Sequence, residues 1–404
     1  MKLRPLFILL AALTLSATVR SAPGTLIPRP QEATRLDGQF VFTTGIPVVY
    51  ASGLEPLAEY IADYIPLQRL DDRTWTAGAA LRLSLDGTMD DESYRLTVTP
   101  QGVQVVGADY GGVFNGLQTL LQLLPPEVYT GQATLPLAVD ACRIEDAPRF
   151  HYRGMMLDVV RTWMDADRVK RHIDLLSHLK INKLHLLLSN DEGWRLEIKS
   201  HPELTEIGAW RGGDSPVMPV YGKWDEKYGG FYTQDEMRDL IRYAAVRNVE
   251  IIPELDLPGH SRNFARVHPE ILCDYTPDLR PTAGYDYRSV WCASREENYR
   301  LADILGELAA LFPSEYLHIG GDEVDMSQWE KCPNCRALMV REGMADGHAL
   351  EQYFLGRLTR ILEANGKRPA VWNEAIEGGE LARSTRVHGW ESVKACLDAT
   401  AAGY

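Results

Sequence analysis

Two carboxylates stand side by side, Asp322 and Glu323, at the end of the segment His318-Ile319-Gly320-Gly321-Asp322-Glu323. The residues before them, 316–319, form a short apolar run of the kind that makes a buried strand. The same pattern recurs along the chain. Residues 183–188 run into Ser189-Asn190-Asp191-Glu192-Gly193-Trp194, and residues 250–255 lead through Asp256 to Pro258-Gly259-His260. Residues 369–372 end in Trp372-Asn373-Glu374, and residues 385–389 in His388-Gly389-Trp390-Glu391. Parallel barrels gather their reactive groups at the C-terminal ends of the strands. Carboxylates and indoles repeated at those ends describe a pocket suited to sugars. Aromatic faces stack on the apolar side of a pyranose, and carboxylates bind hydroxyls or move protons. Most glycosidases set two carboxyl groups on opposite sides of the scissile bond. Neighbours on one regular strand fit that arrangement poorly. They fit better where one carboxyl serves the leaving group and the other manages a nucleophile carried by the substrate.

The elements that must hold these residues read as an α/β chain. Strands are expected at 154–159, 183–188, 250–255, 316–319, 369–372 and 385–389, with amphipathic helices between them. Capping boxes are expected at Thr233 with Glu236 and at Ser294 with Glu297. Short apolar strands alternating with helices predict a parallel sheet covered by helices, as in a (β/α)8 TIM barrel. Six units are legible where a closed barrel has eight, and a helix at 391–402 leads to Gly403-Tyr404. The expectation is a catalytic barrel over 148–404, truncated after about six units. Residues 24–147 predict a separate small α+β domain, with half-buried strands at 94–98 and 103–106 and a helix at 112–124. No catalytic constellation stands out there. At the start, Lys2 and Arg4 precede an apolar run over 6–17, and small residues follow at Ser21 and Ala22. This reads as a signal peptide over 1–22, too short to span a bilayer, and predicts an exported protein, periplasmic or extracellular, with no further membrane partner.

Of 404 residues, 45% are hydrophobic and 24% charged, which is globular rather than disordered composition. A net charge of −14 repels nucleic acid and anionic lipid, so neither is expected as a partner. The sequence fixes no oligomeric state. Six cysteines are too few for a disulfide scaffold in a chain of this size. Cys332 and Cys335 form a lone C-P-N-C, which reads as a small disulfide or two free thiols, since a zinc site wants a second such pair and His348 does not supply it. Cys273 and Cys292 bracket a Pro- and Tyr-rich segment and suggest a loop-closing disulfide.

Five segments together resemble glycoside hydrolase family 20, the β-N-acetylhexosaminidases. They are Arg153-Gly-Met-Met-Leu-Asp158, Asn190-Asp-Glu-Gly-Trp-Arg195, His201-Pro-Glu-Leu-Thr-Glu-Ile-Gly208, Pro253-Glu-Leu-Asp-Leu-Pro-Gly-His260 and His318-Ile-Gly-Gly-Asp-Glu-Val324. The likeness runs from Pro28 to the end. It implies exo-acting, retaining, substrate-assisted hydrolysis of terminal N-acetylglucosamine or N-acetylgalactosamine, without a cofactor or metal. By the resemblance Glu323 is the general acid and base, and Asp322 orients the 2-acetamido group. Arg153 binds sugar hydroxyls, Trp372 and Trp390 enclose the acetamido group and the ring, and His260 with Asp191 lies behind the acid. Two departures stand out. Asn190-Asp191 replaces a pair of aspartates, the first of which the resemblance assigns to a relay with His260. Leu186 and Leu187 stand where the family has Trp and His. The reading competes with two others, a metal-dependent barrel hydrolase built on His260 and His318, and a carbohydrate-binding protein with a degenerate barrel. Trp194 and His185 read as packing residues; Glu254 and Asp256 fit either the pocket or loop support.

Overall fold

The computed structural model describes residues 25–213, 225–274, 289–301, 304–379 and 381–404. The export signal expected over 1–22 lies outside the described residues, as does most of the segment between Cys273 and Cys292. The chain divides into two units, Met1–Arg149 and Phe150–Tyr404.

In the first unit seven strands make one mixed sheet: β1 (Glu32–Phe42), β2 (Pro47–Tyr50), β3 (Gln68–Asp71), β4 (Leu81–Leu85), β5 (Tyr94–Thr99), β6 (Gly102–Gly107) and β7 (Leu137–Asp146). Their spatial order is β1-β7-β5-β6-β4-β2-β3. Helices α1 (Glu55–Tyr64) and α2 (Tyr110–Leu123) pack on this sheet. Helix α2 begins two residues before the expected start at 112, because Asp109 caps it by accepting a bond from the Gly112 N–H at 2.8 Å. Gly111 and Gly112 obscure that first turn in the sequence. Gly112 is needed there, since a Cβ would come within 2.2 Å of the Ser93 carbonyl oxygen.

The second unit carries all six expected parallel strands: β8 (Gly154–Asp158), β9 (Lys183–Asn190), β10 (Glu250–Leu257), β11 (Tyr316–Gly320), β12 (Arg368–Trp372) and β13 (Arg386–His388). They pair in that order. Helices α3 (Ala166–His178), α4 (Gln234–Val246), α5 (Ile304–Leu311), α6 (Pro333–Glu342), α7 (Gly347–Ala364) and α8 (Val393–Ala401) follow the strands, giving a barrel-type (β/α) sheet. Among the described residues no pairing joins β13 to β8. The sheet is nonetheless curled, since the Tyr152 ring, just before β8, lies 5.7 Å from the His388 ring on β13. The Thr233–Glu236 capping box opens α4, with both reciprocal bonds made. Ser294 instead turns its hydroxyl toward Cys292 Sγ at 3.2 Å.

Strand residues alternate between two environments, as the period of two requires. Leu184, Leu186 and Leu188, with Ile251, Leu255, Leu317, Ile319 and Val371, join the core between sheet and helices. The opposite parity faces the inside of the curl and is layered. A basal apolar layer comprises Ile252, Tyr316 and Ala370, with Tyr152 against them. Above it stand His185, Glu254, His318, Trp372 and His388. Barrel interiors are normally filled with branched apolar side chains, so a polar layer here is a departure with a purpose.

Candidate active site

That layer is organised by Glu254, which is fully buried. Its Oε2 lies 2.8 Å from His185 Nε2, and its Oε1 lies 3.1 Å from His318 Nδ1. The Trp372 indole N–H donates to the same Oε1 at 2.8 Å. Burial alone would raise the Glu254 pKa, but the two imidazoles hold it well below the usual carboxylate range. Trp372 is thereby fixed at the end of β12, with its ring 4.6 Å from that of His318. Burial, together with His318 and His185, pulls His388 down to a pKa of about 2, so it is neutral. Period-two reading of β9, β10, β11 and β13 puts His185, Glu254, His318 and His388 on one inner face, a signal the sequence offered and the motif-based reading passed over.

One layer higher the chain ends three strands with the expected acids. At the end of β11, Gly320 and Gly321 adopt φ of +73° and +87°, and Glu323 follows at +48°. A Cβ on Gly320 would sit 2.1 Å from Asp256 Oδ1, so only glycine lets β11 pass that carboxyl. His260, after β10, also has a positive φ, +43°. Among the described residues of this unit the other non-glycine residues of that kind, Lys180 and Asn248, simply follow the ends of α3 and α4. His260 and Glu323 have no such explanation and bear backbone strain of the sort found at functional sites.

The strained pair meets. His260 Nε2 lies 3.2 Å from Glu323 Oε2 and 3.5 Å from Asp322 Oδ2, while Nδ1 lies 2.9 Å from Asp191 Oδ2. Asp191 is held by the Arg262 N–H at 3.0 Å and the Ser289 hydroxyl at 3.3 Å. Burial opposes a charge on His260, but Asp256 and these three carboxylates raise its pKa well above the ordinary histidine value. The structure corrects one expectation. Asn190 is not in this relay; its amide donates to Asp256 Oδ2 at 3.0 Å, and Asp191 is the relay member. Asp256 is buried, and that burial together with the Asp322 charge raises its pKa well above normal. Asp322 Oδ1 is buried and has no hydrogen-bond partner. Glu323 is more open, with 36% of its side chain exposed.

The walls follow. Trp390 is half-exposed; its N–H donates to Asn373 Oδ1 at 3.1 Å and its indole N–H to Glu374 Oε2 at 3.3 Å. The same Glu374 oxygen accepts from the backbone N–H of Glu323 at 3.3 Å, so one carboxyl positions both indole and acid. Its half-burial, with Asp322 nearby, pushes its pKa up to about 7.

Arg153 is not brought here. It precedes β8, at the opposite end of the strands, and its guanidinium donates to the carbonyls of Lys180 at 2.7 Å and Phe150 at 2.8 Å. The arginine at the C-terminal end of β8 is Arg161, which pairs with Asp158 at 2.8 Å and lies 3.9 Å from Glu192. The buried Arg195 fastens that turn by donating to the carbonyls of Val159, Val160, Ala209 and Gly230. The expectation for Arg153 is thus corrected: by the strand-end rule the arginine on the side of the acids is Arg161. Trp194 is buried in the core, as its packing reading requires. The two ligands of the rival metal hydrolase serve different carboxylates, His318 facing Glu254 and His260 facing Asp191 and Glu323.

The chain matches the family model for the glycosyl hydrolase family 20 catalytic domain over residues 150–404 and that family's domain 2 over 24–147. It is 39% identical to a beta-hexosaminidase of Vibrio furnissii, covering 94% of this chain and 62% of that protein. It is 36% identical to a beta-hexosaminidase of Porphyromonas gingivalis, covering 90% of this chain and 47% of that protein. Among solved structures it resembles a family 20 exo beta-N-acetylglucosaminidase of Vibrio harveyi bound to N-acetylglucosamine, with a TM-score of 0.86 at 34% identity over 95% of this chain and 60% of the other. The chain thus spans less than two thirds of these relatives' lengths.

Proposed function

Because the chain belongs to glycosyl hydrolase family 20 through both of its units, we propose that it hydrolyses terminal non-reducing N-acetyl-β-hexosamine residues by substrate-assisted, retaining catalysis. The observation that carries this reading is Asp322, a half-buried carboxylate with a buried and unpartnered Oδ1 next to the partly open Glu323. An unmet acceptor at that position suits the N–H of a 2-acetamido group.

Asp322 accepts that N–H and turns the acetamido carbonyl oxygen toward the anomeric carbon. The oxygen attacks as Glu323 gives its proton to the glycosidic oxygen, the glycosidic bond breaks and the aglycone leaves as an alcohol. The oxazolinium ion that remains is stabilised by the Asp322 charge. Water then attacks the anomeric carbon, Glu323 takes its proton, and the acetamido group is restored with configuration retained. His260 with Asp191 holds both reacting carboxyls in register. Trp372 and Trp390 wall the sugar, and Arg161 is the cation at the rim that binds hydroxyls.

N-acetylglucosamine-terminated oligosaccharides are the first substrates to try, supported by the sugar bound to the Vibrio harveyi relative. N-acetylgalactosaminides are the second. Export to the periplasm or beyond is part of the proposal, supported by Lys2, Arg4 and the apolar run over 6–17. The test is release of 4-nitrophenol from 4-nitrophenyl N-acetyl-β-glucosaminide. Asp322→Asn and Glu323→Gln are each expected to lose about 100-fold or more. With a poorer leaving group, as in chitobiose, the Glu323→Gln loss should grow while that of Asp322→Asn should not. Near-normal rates in both variants would overturn the reading.

A further inference from the structure

Away from the acids, four buried cysteines converge: Cys273, Cys292, Cys332 and Cys335, their sulfurs all within 4.8 Å of one another. We propose that they form a tetrathiolate site for a structural zinc ion. The proposal does not depend on the reading of the active site.

The chain brings the sulfurs together in two pairs. Leu272 and Trp291 make an isolated antiparallel bridge, and the Cys292 N–H donates to the Ile271 carbonyl at 2.7 Å, which sets Cys273 beside Cys292. Cys332 immediately precedes α6 and Cys335 lies in its first turn, so the C-P-N-C segment presents both sulfurs on one side of a helix start. The Trp329 indole N–H then donates to the Trp291 carbonyl at 2.9 Å and locks one pair onto the other. The second pair that the sequence reading found missing is therefore Cys273 with Cys292, distant in sequence but adjacent in space.

The spacing decides between metal and disulfide. Cys335 Sγ lies 3.8 Å from Cys273 Sγ and 3.5 Å from Cys292 Sγ, and all six cysteines of the chain are free. A disulfide needs sulfurs about 2.05 Å apart and pairs each with a single partner. Tetrahedral zinc with bonds of about 2.3 Å sets sulfurs roughly 3.8 Å apart, each equidistant from the other three. One sulfur shared between two others at that separation is the second pattern. The shell is also closed. Among the described residues the Ser294 hydroxyl lies 3.2 Å from Cys292 Sγ, and the neighbouring Arg295 pairs with Asp274. Such a site has four protein ligands and no open position, the structural rather than the catalytic type.

Its place in the fold gives it work to do. Trp291, between the two cysteine pairs, also donates its backbone N–H to the Pro258 carbonyl at 3.1 Å and its indole N–H to Ser261 Oγ at 2.9 Å. Pro258 and Ser261 flank the strained His260. The metal thus braces the segments that follow β10 and β11, which carry His260 and Glu323.

The test is zinc content by mass spectrometry of the full chain, purified without a histidine tag or chelator. About one zinc per chain is expected, and titration of the same protein with an organomercurial should release it as the thiols react, a readout that needs no variant. Cys332→Ser and Cys335→Ser should lose the metal, and cobalt exchanged into the parent should give the charge-transfer and visible bands of a tetrahedral thiolate site. Zinc at background would overturn the proposal, whether peptide maps showed two disulfides among these four residues or all six thiols reacted freely. Zinc kept at the parental level in both variants would also overturn it, by placing the metal elsewhere.

Discussion

The curled sheet holds two clusters made of the same parts, imidazole and carboxylate, stacked one above the other. In the lower, each oxygen of Glu254 faces a ring nitrogen of His185, His318 or Trp372, and no atom of the acid meets solvent. In the upper, His260 bridges Asp191 to Asp322 and Glu323, one oxygen of Asp322 is unpartnered, and Glu323 opens to the outside. Residue type therefore does not separate structure from chemistry here. Exposure does. A carboxylate wholly buried between imidazoles supports the fold, whereas a pair that opens to the outside is available to a substrate. The strain follows the same division, since the positive φ values fall at His260 and Glu323 and not at Glu254.

The sharpest way to break this contrast is to remove the lower acid. Glu254→Leu leaves two buried imidazoles and the Trp372 N–H facing hydrocarbon and is expected to cost about 3–5 kcal/mol, read as a large fall in the urea midpoint or Tm. Asp322→Asn in the upper cluster should do the reverse, with turnover lost and Tm little changed. If Glu254→Leu were as stable as the parent, the lower cluster would not be the support it is taken to be.

A smaller effect sharpens the comparison within the upper cluster. Asp191→Asn keeps the acceptor for the Arg262 N–H but removes the charge facing His260 Nδ1. His260 should then give up its proton at a lower pH than in the parent, seen as a downward shift of its imidazole resonance titration. The value of kcat should fall by about 10- to 100-fold, less than removal of the general acid itself, with KM little altered. An unchanged titration and rate would mean that His260 only fills space.

Much of this was legible before the coordinates. The six strands, their order and the polar residues at their ends follow from apolar runs separated by amphipathic helices, which is local information. What escaped depends on partners far apart in sequence. Glu254 lies 118 positions before Trp372 in the chain, yet is bonded to it, and no motif reveals that contact. Arg153 and Arg161 both flank β8, and only the direction of the strand decides which reaches the rim. Cys332 and Cys335 looked solitary because their partners, Cys273 and Cys292, are supplied by another loop. Asn190 ends β9 and turns its amide to Asp256, while Asp191, just past the strand, faces His260, so the two neighbours serve different partners.

The gentlest probe concerns an acid that belongs to neither cluster. Glu351, on α7, is buried with Oε1 unpartnered, and burial followed by the charges of Glu374 and Asp322 raises its pKa from 4.5 to about 8. The native state thus keeps a proton that the unfolded chain releases above pH 4.5. Where the native state binds more protons, stability falls as pH rises. The fall should begin near 4.5, run to about 8 and then level off, with Glu374 contributing in the same direction between 4.5 and about 7. Glu351→Gln imitates the protonated form at every pH, so it should match the parent in Tm at pH 4.5 and exceed it at pH 8. A gap between the two that does not widen with pH would show that Glu351 is ionised in the fold, and that burial and the charges of Glu374 and Asp322 do not hold its proton.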